Sequence, residues 1–156
     1  DDVEWTSWEM VKRADQVTGR AFAACVDELR YYAGKVERWW EAGWDLLILP
    51  TVTRQTPEIG ELMRAKGTDL EGRQSAFISG SLRMLAFTVP FNLSGQPAIS
   101  LPIGMSSDGM PIGVQIVAAY GREDLLLQVA AQLEGAPPWV ARRPQLLNPS
   151  RKIPAA

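Results

Sequence analysis

The chain has 156 residues, of which 46% are hydrophobic and 22% are charged, and its formal net charge is −2. This length is enough for one globular domain with its own core. The apolar content and the nearly balanced charge argue against intrinsic disorder and against a tail that binds nucleic acid. We therefore expect an ordered domain with no nucleic-acid partner.

Cysteine content and hydropathy indicate where in the cell the protein is expected to be. Cys25 is the only cysteine, so no intramolecular disulfide can form, and the cytoplasm is the expected location. The longest uncharged apolar run, 46–53, is far shorter than the roughly 20 residues that span a bilayer, so we expect a soluble protein without a membrane partner. Because the chain begins at Asp1 rather than at methionine, a processed or partial polypeptide is expected.

The sequence contains no histidine, and this absence limits the chemistry available to it. A Ser-His-Asp triad, a Cys-His pair and a histidine-ligated zinc site are all excluded. Any reaction would have to use serine, lysine or carboxylate groups. We predict no metal site and no cofactor.

The N-terminal quarter of the chain has the spacing of one long helix over 7–42. Thr6 and Glu9 fit a capping box at its start, and Gly43 fits a left-handed stop. Gly19 and Gly34 could mark a kink or a break. The apolar or small side chains recur every three or four residues: Val11, Ala14, Thr18, Ala21, Phe22, Cys25, Leu29, Tyr32, Val36 and Trp39.

The next segment predicts a strand followed by two helices. Residues 46–49 are apolar without alternation, which is typical of a strand covered on both faces. Thr56 and Pro57 fit the start of a short helix that ends at Gly67. A polar loop over 67–72 is expected next. Residues 73–87 then have helical spacing, interrupted at 79–81.

The C-terminal half predicts a β-hairpin and a final helix. Residues 98–101 and 112–117 have strand character and flank the turn-forming residues 106–109. Residues 123–134 predict a helix with an acidic first turn. We expect a domain over 1–140 and a surface tail over 141–156 without periodic structure.

Four motifs carry a resemblance to a known family. Residues 88–102 (TVPFNLSGQPAISLP), 109–115 (GMPIGVQ), 123–126 (EDLL) and 45–51 (DLLILPT) resemble the C-terminal part of the amidase signature family, and the likeness covers about 39–134. The resemblance implies the C-terminal part of an α/β/α sandwich with a mixed sheet, hence an α/β fold class. It also implies hydrolysis of a carboxylic amide by a Ser-cisSer-Lys triad, which needs no histidine.

The motifs that bring the triad are missing. The family's Gly-Gly-Ser-Ser-Gly-Gly-Ser signature and its lysine segment do not occur in these 156 residues. None of the four lysines, Lys12, Lys35, Lys66 and Lys152, lies in an apolar stretch that would depress its pKa. We therefore predict no catalytic residue here. The chain is expected to supply sheet strands and a substrate-pocket wall to an amidase and to be inactive alone.

The resemblance points to Leu85, Asn92, Gly95 and Gln96 as substrate-binding residues. Leu85 stands five residues before Pro90, where amidotransferase relatives carry an acidic residue, and an apolar side chain cannot pair with a substrate ammonium. This favours a less polar small-molecule amide, linear or cyclic. Asn92 and Gly95 could instead serve turn geometry alone, and a polar strand residue such as Gln115 could satisfy local groups.

Two other functions remain open at this point: a stand-alone structural or binding module of amidase ancestry, and part of an amidotransferase subunit. A homo-oligomer is also possible through surface that the catalytic half would cover, since severed strand edges favour pairing between copies. Five tryptophans near the ends of the predicted long helix could contribute to such a surface: Trp5, Trp8, Trp39, Trp40 and Trp44.

Overall fold

The computed structural model describes residues 5–61, 80–135 and 139. Within these residues, helices surround a three-stranded antiparallel sheet, which confirms the α/β class. Residues 80–84 are also helical. The elements in chain order are α1 (Trp5–Ala14), α2 (Gly19–Arg38), a 3-10 turn (Trp39–Ala42), β1 (Leu46–Pro50), α3 (Val89–Ser94), β2 (Ala98–Met105), β3 (Pro111–Ala118) and α4 (Glu123–Gly135).

The N-terminal segment forms two helices, so the prediction of one long helix is wrong. Thr18 adopts an extended backbone and its Oγ1 accepts a hydrogen bond from the Ala21 amide at 3.2 Å, which makes it the N-cap of α2. Apolar spacing cannot show such a break, because the spacing continues across it. The possible break at Gly19 is confirmed, since α2 begins there, whereas Gly34 lies within α2 without interrupting it.

Two further features of this segment concern its ends. Thr6 lies inside α1, which begins by Trp5, so Thr6 is not an N-cap. Gly43 has a φ of 87° and donates its amide hydrogen to the Trp40 carbonyl at 3.0 Å, so the predicted left-handed stop is confirmed. It ends the 3-10 turn rather than α2 itself.

The sheet order is β1-β3-β2. β1 and β3 pair from Leu46 opposite Ala118 to Pro50 opposite Val114. β2 and β3 form the predicted hairpin, whose turn is closed by the Ser106 amide donating to the Met110 carbonyl at 2.9 Å. Because β3 lies in the middle, its side chains have neighbours from both other strands.

The prediction that the first strand is covered on both faces is wrong for the described residues. β1 is an edge strand there, paired with β3 alone. Ile48 shares a face with Leu46 by strand alternation, yet it is 63% exposed. α4 therefore covers only part of that face.

Helices lie against both faces of the sheet. α4 packs on one face with the core residues Leu101, Ile116, Ala118, Leu126, Ala130 and Trp139. On the opposite face, Leu47 lines a cavity together with Pro90 and Phe91 of α3 and residues of α2 and the 3-10 turn. α4 carries the expected acidic residues Glu123 and Asp124 in its first turn.

The remaining predicted elements are only partly described. Residues 56–58 have no regular structure and residues 59–61 form a turn, so the predicted helix start at Thr56 and Pro57 is wrong. Residues 62–67 of that predicted helix, the loop at 67–72 and residues 73–79 of the next predicted helix lie outside the described residues. Gly80 and Ser81 are helical, so the predicted interruption does not occur at these two positions, and a turn follows at 85–88. The tail at 141–156 and the domain boundary before it also lie outside.

Candidate functional site

A cavity of about 330 Å³ lies beyond the carboxyl end of β1. Six of its twelve described lining residues are polar, although most of the lining surface is apolar, and we call it the polar cavity. Its volume is at the lower end of the range for small-molecule pockets. The segment after β1, the 85–88 turn and the β2–β3 hairpin contribute its lining, which includes Thr51, Thr53, Gln55, Phe87, Ser100 and Gly113.

Two hydroxyl groups meet at this cavity. Thr51 Oγ1 and Ser100 Oγ are 2.5 Å apart and share a hydrogen bond, although 49 residues separate them in the chain. The Thr51 amide also donates to the Gly113 carbonyl at 3.0 Å, which holds the start of the segment against β3. We call Thr51 and Ser100 the hydroxyl pair.

Gly113 makes the approach of the two hydroxyls possible. A Cβ at this position would lie 2.8 Å from Thr51 Oγ1 and 3.0 Å from Ser100 Oγ. Because the middle strand has no side chain here, groups from both of its neighbours can bond across it. Glycine inside a strand commonly marks a close approach of this kind.

Hydrogen bonds hold the segment after β1 in place. Thr53 Oγ1 donates to the Arg83 carbonyl at 2.9 Å, and Gln55 Nε2 lies 3.5 Å from Asp108 Oδ1 in the hairpin turn. Arg54 is paired with Glu61. The first two contacts tie this cavity wall to two other parts of the fold.

The 85–88 turn is tied to the sheet by Gln115. Its side chain is 4% exposed, and Nε2 donates to the Phe87 carbonyl at 2.8 Å. Gln115 therefore satisfies a local backbone group. Leu85, one of the predicted substrate-binding residues, is in this turn, 44% exposed and two residues before the cavity-lining Phe87.

The other three predicted substrate-binding residues lie along or just after α3, and none of them is among the residues lining the polar cavity. Asn92 is exposed on α3. Gly95 ends that helix with a φ of 82°, and a Cβ there would lie 3.4 Å from Tyr120 Cε2. Gln96 is 5% exposed; its Oε1 accepts from Ser94 Oγ, and its Nε2 has no hydrogen-bond partner within the described residues.

A second cavity, of about 290 Å³, is mostly apolar and adjoins the tryptophans. Trp39 and Trp40 line it, together with Leu47 and Phe91. The Trp39 ring lies 4.7 Å from that of Trp40 and 6.0 Å from that of Trp44, measured between centroids. The structure thus brings together three of the five tryptophans named above, around the 3-10 turn.

Metal-binding clusters and membrane-spanning helices are both absent from the part of the chain that the structure describes. It contains no group of three or more His, Cys, Asp or Glu residues that could hold a metal ion. No helix in the described ranges is both long and apolar enough to cross a bilayer. Lys12 and Lys35 are exposed, and Lys66 and Lys152 lie outside the described residues.

The amidase family is shown by a direct match. The family model described as Amidase matches residues 3–127. The chain belongs to the amidase family, which confirms the resemblance drawn from the four motifs.

Individual relatives are much longer than this chain. It is 97% identical over 156 residues to 6-aminohexanoate-cyclic-dimer hydrolase of Paenarthrobacter ureafaciens and 96% identical to the protein of that name from Pseudomonas sp. (strain NK87), covering all of this chain and 32% of each. It is 32% identical over 141 residues to an acylamidase of Rhodococcus erythropolis, covering 87% of this chain and 27% of the acylamidase. The chain spans about a third of the length of the two hydrolases it matches.

Solved structures agree with this placement. The structure of 6-aminohexanoate cyclic dimer hydrolase matches with a TM-score of 0.84 and 97% identity, covering 95% of this chain and 31% of that one. A structure of that hydrolase complexed with substrate matches equally well. The described fold corresponds to the C-terminal part of an amidase-signature enzyme.

Sequence reasoning did not select the hydroxyl pair or Gly113. Thr51 is the last residue of the 45–51 motif, and Gly113 lies inside the predicted strand 112–117, where a glycine often marks a close approach of other groups. These two positions could therefore have been singled out from the sequence. Ser100 is a single polar residue between apolar ones. The proximity of Thr51, Ser100 and Gly113 depends on the register in which the strands pair, and the sequence does not show this register directly.

Proposed function

We propose that this chain forms part of the substrate-pocket wall of an amide hydrolase whose nucleophile and base lie in another part of the domain. The observation that carries this proposal is the 97% identity, over all 156 residues, to a 6-aminohexanoate-cyclic-dimer hydrolase. The absence of the family's glycine- and serine-rich signature from these residues explains why the nucleophile is sought elsewhere.

The proposed substrate is a cyclic or linear amide of low polarity, and a cyclic dimer of 6-aminohexanoate is the first candidate because two relatives are named for it. In the whole enzyme, a serine oxygen adds to the amide carbon, the C–N bond breaks and the amine leaves with a proton. Water then cleaves the acyl-serine ester to give the acid and the free serine. The residues described here bind and orient the substrate during both steps.

Four residues remain our proposed substrate contacts: Leu85, Asn92, Gly95 and Gln96. The position of Leu85 beside the segment that lines the polar cavity supports its inclusion. The buried, unpartnered Nε2 of Gln96 is a donor that a group from the rest of the domain or from a substrate could satisfy. No charged group is proposed to contact the scissile amide.

The deciding experiment compares two polypeptides on the cyclic dimer, with release of primary amine as the readout. One is this 156-residue chain alone, and the other joins it to the remaining two thirds of the Paenarthrobacter relative. We expect the joined domain to hydrolyse the dimer and the chain alone to release no amine. The proposal would be contradicted if the chain alone hydrolysed the dimer, or if the joined domain folded but did not hydrolyse it.

We also propose a cytoplasmic location and self-association of the isolated chain. Cys25 is exposed and unpaired, as expected of a thiol in a reducing compartment. Self-association is supported by α2, which contains no buried residue although apolar side chains follow one of its faces.

A further inference from the structure

The hydroxyl pair has hydrogen-bonding capacity that the fold does not use. Two hydroxyl groups carry two hydrogens, and their mutual bond uses one of them. Within the described residues, neither Thr51 Oγ1 nor Ser100 Oγ has another side-chain partner. The pair therefore retains one O–H donor and free lone pairs at the cavity.

This capacity matches a secondary amide. A trans secondary amide presents one carbonyl acceptor and one N–H donor that point in opposite directions, so the pair can either donate to the carbonyl or accept from the N–H. Phe87 and Ile112 provide apolar lining beside the hydroxyls, which suits methylene groups next to the amide. Arg54 at the same cavity is already paired with Glu61, so a neutral ligand fits better than a charged one.

We propose that the hydroxyl pair over Gly113 binds the amide that is not being cleaved in a diamide substrate. This inference rests on the proposed function, since a cyclic dimer of 6-aminohexanoate contains two amide bonds. While one amide reacts at the serine, the other occupies the cavity and fixes the orientation of the ring. Thr51 and Ser100 are thus residues that set specificity for a substrate with a second amide.

The test uses the whole domain and two substrates, the cyclic dimer and an N-alkyl hexanamide that has one amide. Thr51→Val and Ser100→Ala each remove one hydroxyl with little change in shape. We expect each to raise KM for the dimer by about three- to tenfold, the loss expected for one neutral hydrogen bond. KM for the single-amide substrate, and kcat for both substrates, should stay within about twofold, because the single amide leaves the pair unoccupied.

Three further measurements sharpen this result. Thr51→Ser restores the hydroxyl and should recover most of the affinity that Thr51→Val loses. The double variant should lose less than the product of the two single losses, because either substitution already breaks the pair. Ser107→Ala, at an exposed serine in the turn of the same hairpin, should change neither KM.

Equal rises in KM for both substrates would show a structural role and overturn the inference, as would an unchanged KM for the dimer. If Thr51→Val fails to fold, Ser100→Ala decides alone, since Ser100 is exposed. A parent domain that hydrolyses neither amide would overturn the proposed function itself. If instead the parent domain is active and the variants have the same KM as the parent, only the inference about the hydroxyl pair is overturned.

Discussion

Gly113 illustrates how one missing side chain shapes the candidate site. Glycine in a strand interior costs conformational entropy and contributes no packing, so another residue would favour the strand itself. At this position, however, any Cβ would come within 3.0 Å of two hydroxyl oxygens. The contact between Thr51 and Ser100 therefore depends on glycine between them.

Alanine substitution at Gly113 tests this dependence. We expect Gly113→Ala to lower the free energy of unfolding by about 1–3 kcal/mol, because the added methyl must displace one or both hydroxyls. Gly34→Ala is the matched comparison, since among the described residues the added Cβ would meet only Arg38 Nη1, at 3.8 Å. That variant should gain about 0.5–1 kcal/mol. Urea denaturation measures both values, and a neutral or stabilising Gly113→Ala would show that the hydroxyls can move apart freely.

At the scale of single elements, the boundary between α1 and α2 depends on one side chain. The Thr18 hydroxyl satisfies an amide at the start of α2 that has no partner within the helix. A residue without such an acceptor leaves this amide to water.

Replacing the cap tests the boundary. We expect Thr18→Ala to destabilise the chain by about 1 kcal/mol and to reduce the helical circular dichroism signal of α2. Thr18→Ser keeps the acceptor and should retain most of the stability. Equal losses in the two variants would indicate that the threonine methyl, rather than the hydroxyl, is responsible.

The first turn of α4 provides a pH-dependent contact. Arg122 Nε donates to Asp124 Oδ1 at 3.1 Å, and this hydrogen bond lowers the pKa of the Asp124 carboxyl below its ordinary value. Because the folded-state pKa is the lower one, the contact stabilises the fold above the ordinary aspartate pKa. This contribution is lost as the pH falls through the folded-state pKa.

Removing the arginine should return the Asp124 pKa toward its ordinary value. Arg122→Ala takes away the hydrogen bond and the positive charge together. An NMR titration of the Asp124 side-chain carboxyl carbon measures the change. An unmoved midpoint would mean that the backbone amides at the start of α4 hold the carboxylate without help from Arg122.

At the scale of the whole chain, the apolar face of α2 is only partly covered by the other described elements. Ala33 and Val36, at the C-terminal end of this face, are partly buried, as is Trp40 in the 3-10 turn that follows. On the preceding turns, Phe22, Leu29 and Tyr32 remain exposed. In an amidase domain three times as long, this surface is available to the rest of the domain, and in the isolated chain it is available to a second copy.

A charge on this face should reduce the self-association that we propose. We expect the isolated chain to sediment as a concentration-dependent oligomer and Leu29→Glu to shift it toward monomer. Ala24→Glu adds the same charge on the opposite side of α2, where it should have no such effect. A parent chain that is monomeric at high concentration, or equal shifts in both variants, would contradict this assignment.

Elements that depend on residues close in the sequence were predicted better than features that depend on residues far apart in the sequence. The β2–β3 hairpin and α4 depend on neighbouring residues; β3 and α4 were predicted to within one residue at each end, whereas the predicted first hairpin strand ended four residues before β2 does. The single long helix was wrong because the cap at Thr18 interrupts the backbone while the apolar spacing continues. The covered first strand was wrong because coverage depends on which elements lie beside β1, and none of the described ones covers Ile48.

The sequence by itself determined the amidase family, the hairpin, α4 and the lack of the serine-rich signature, since motifs and local periodicity are written directly in the order of residues. Only the tertiary structure decided that Thr51 and Ser100 meet over Gly113. Their contact joins positions 49 residues apart and exists because β3 pairs with β1 and β2 in one particular register. A shift of one residue would turn the side chains of β3 to the opposite faces and separate the pair from its glycine.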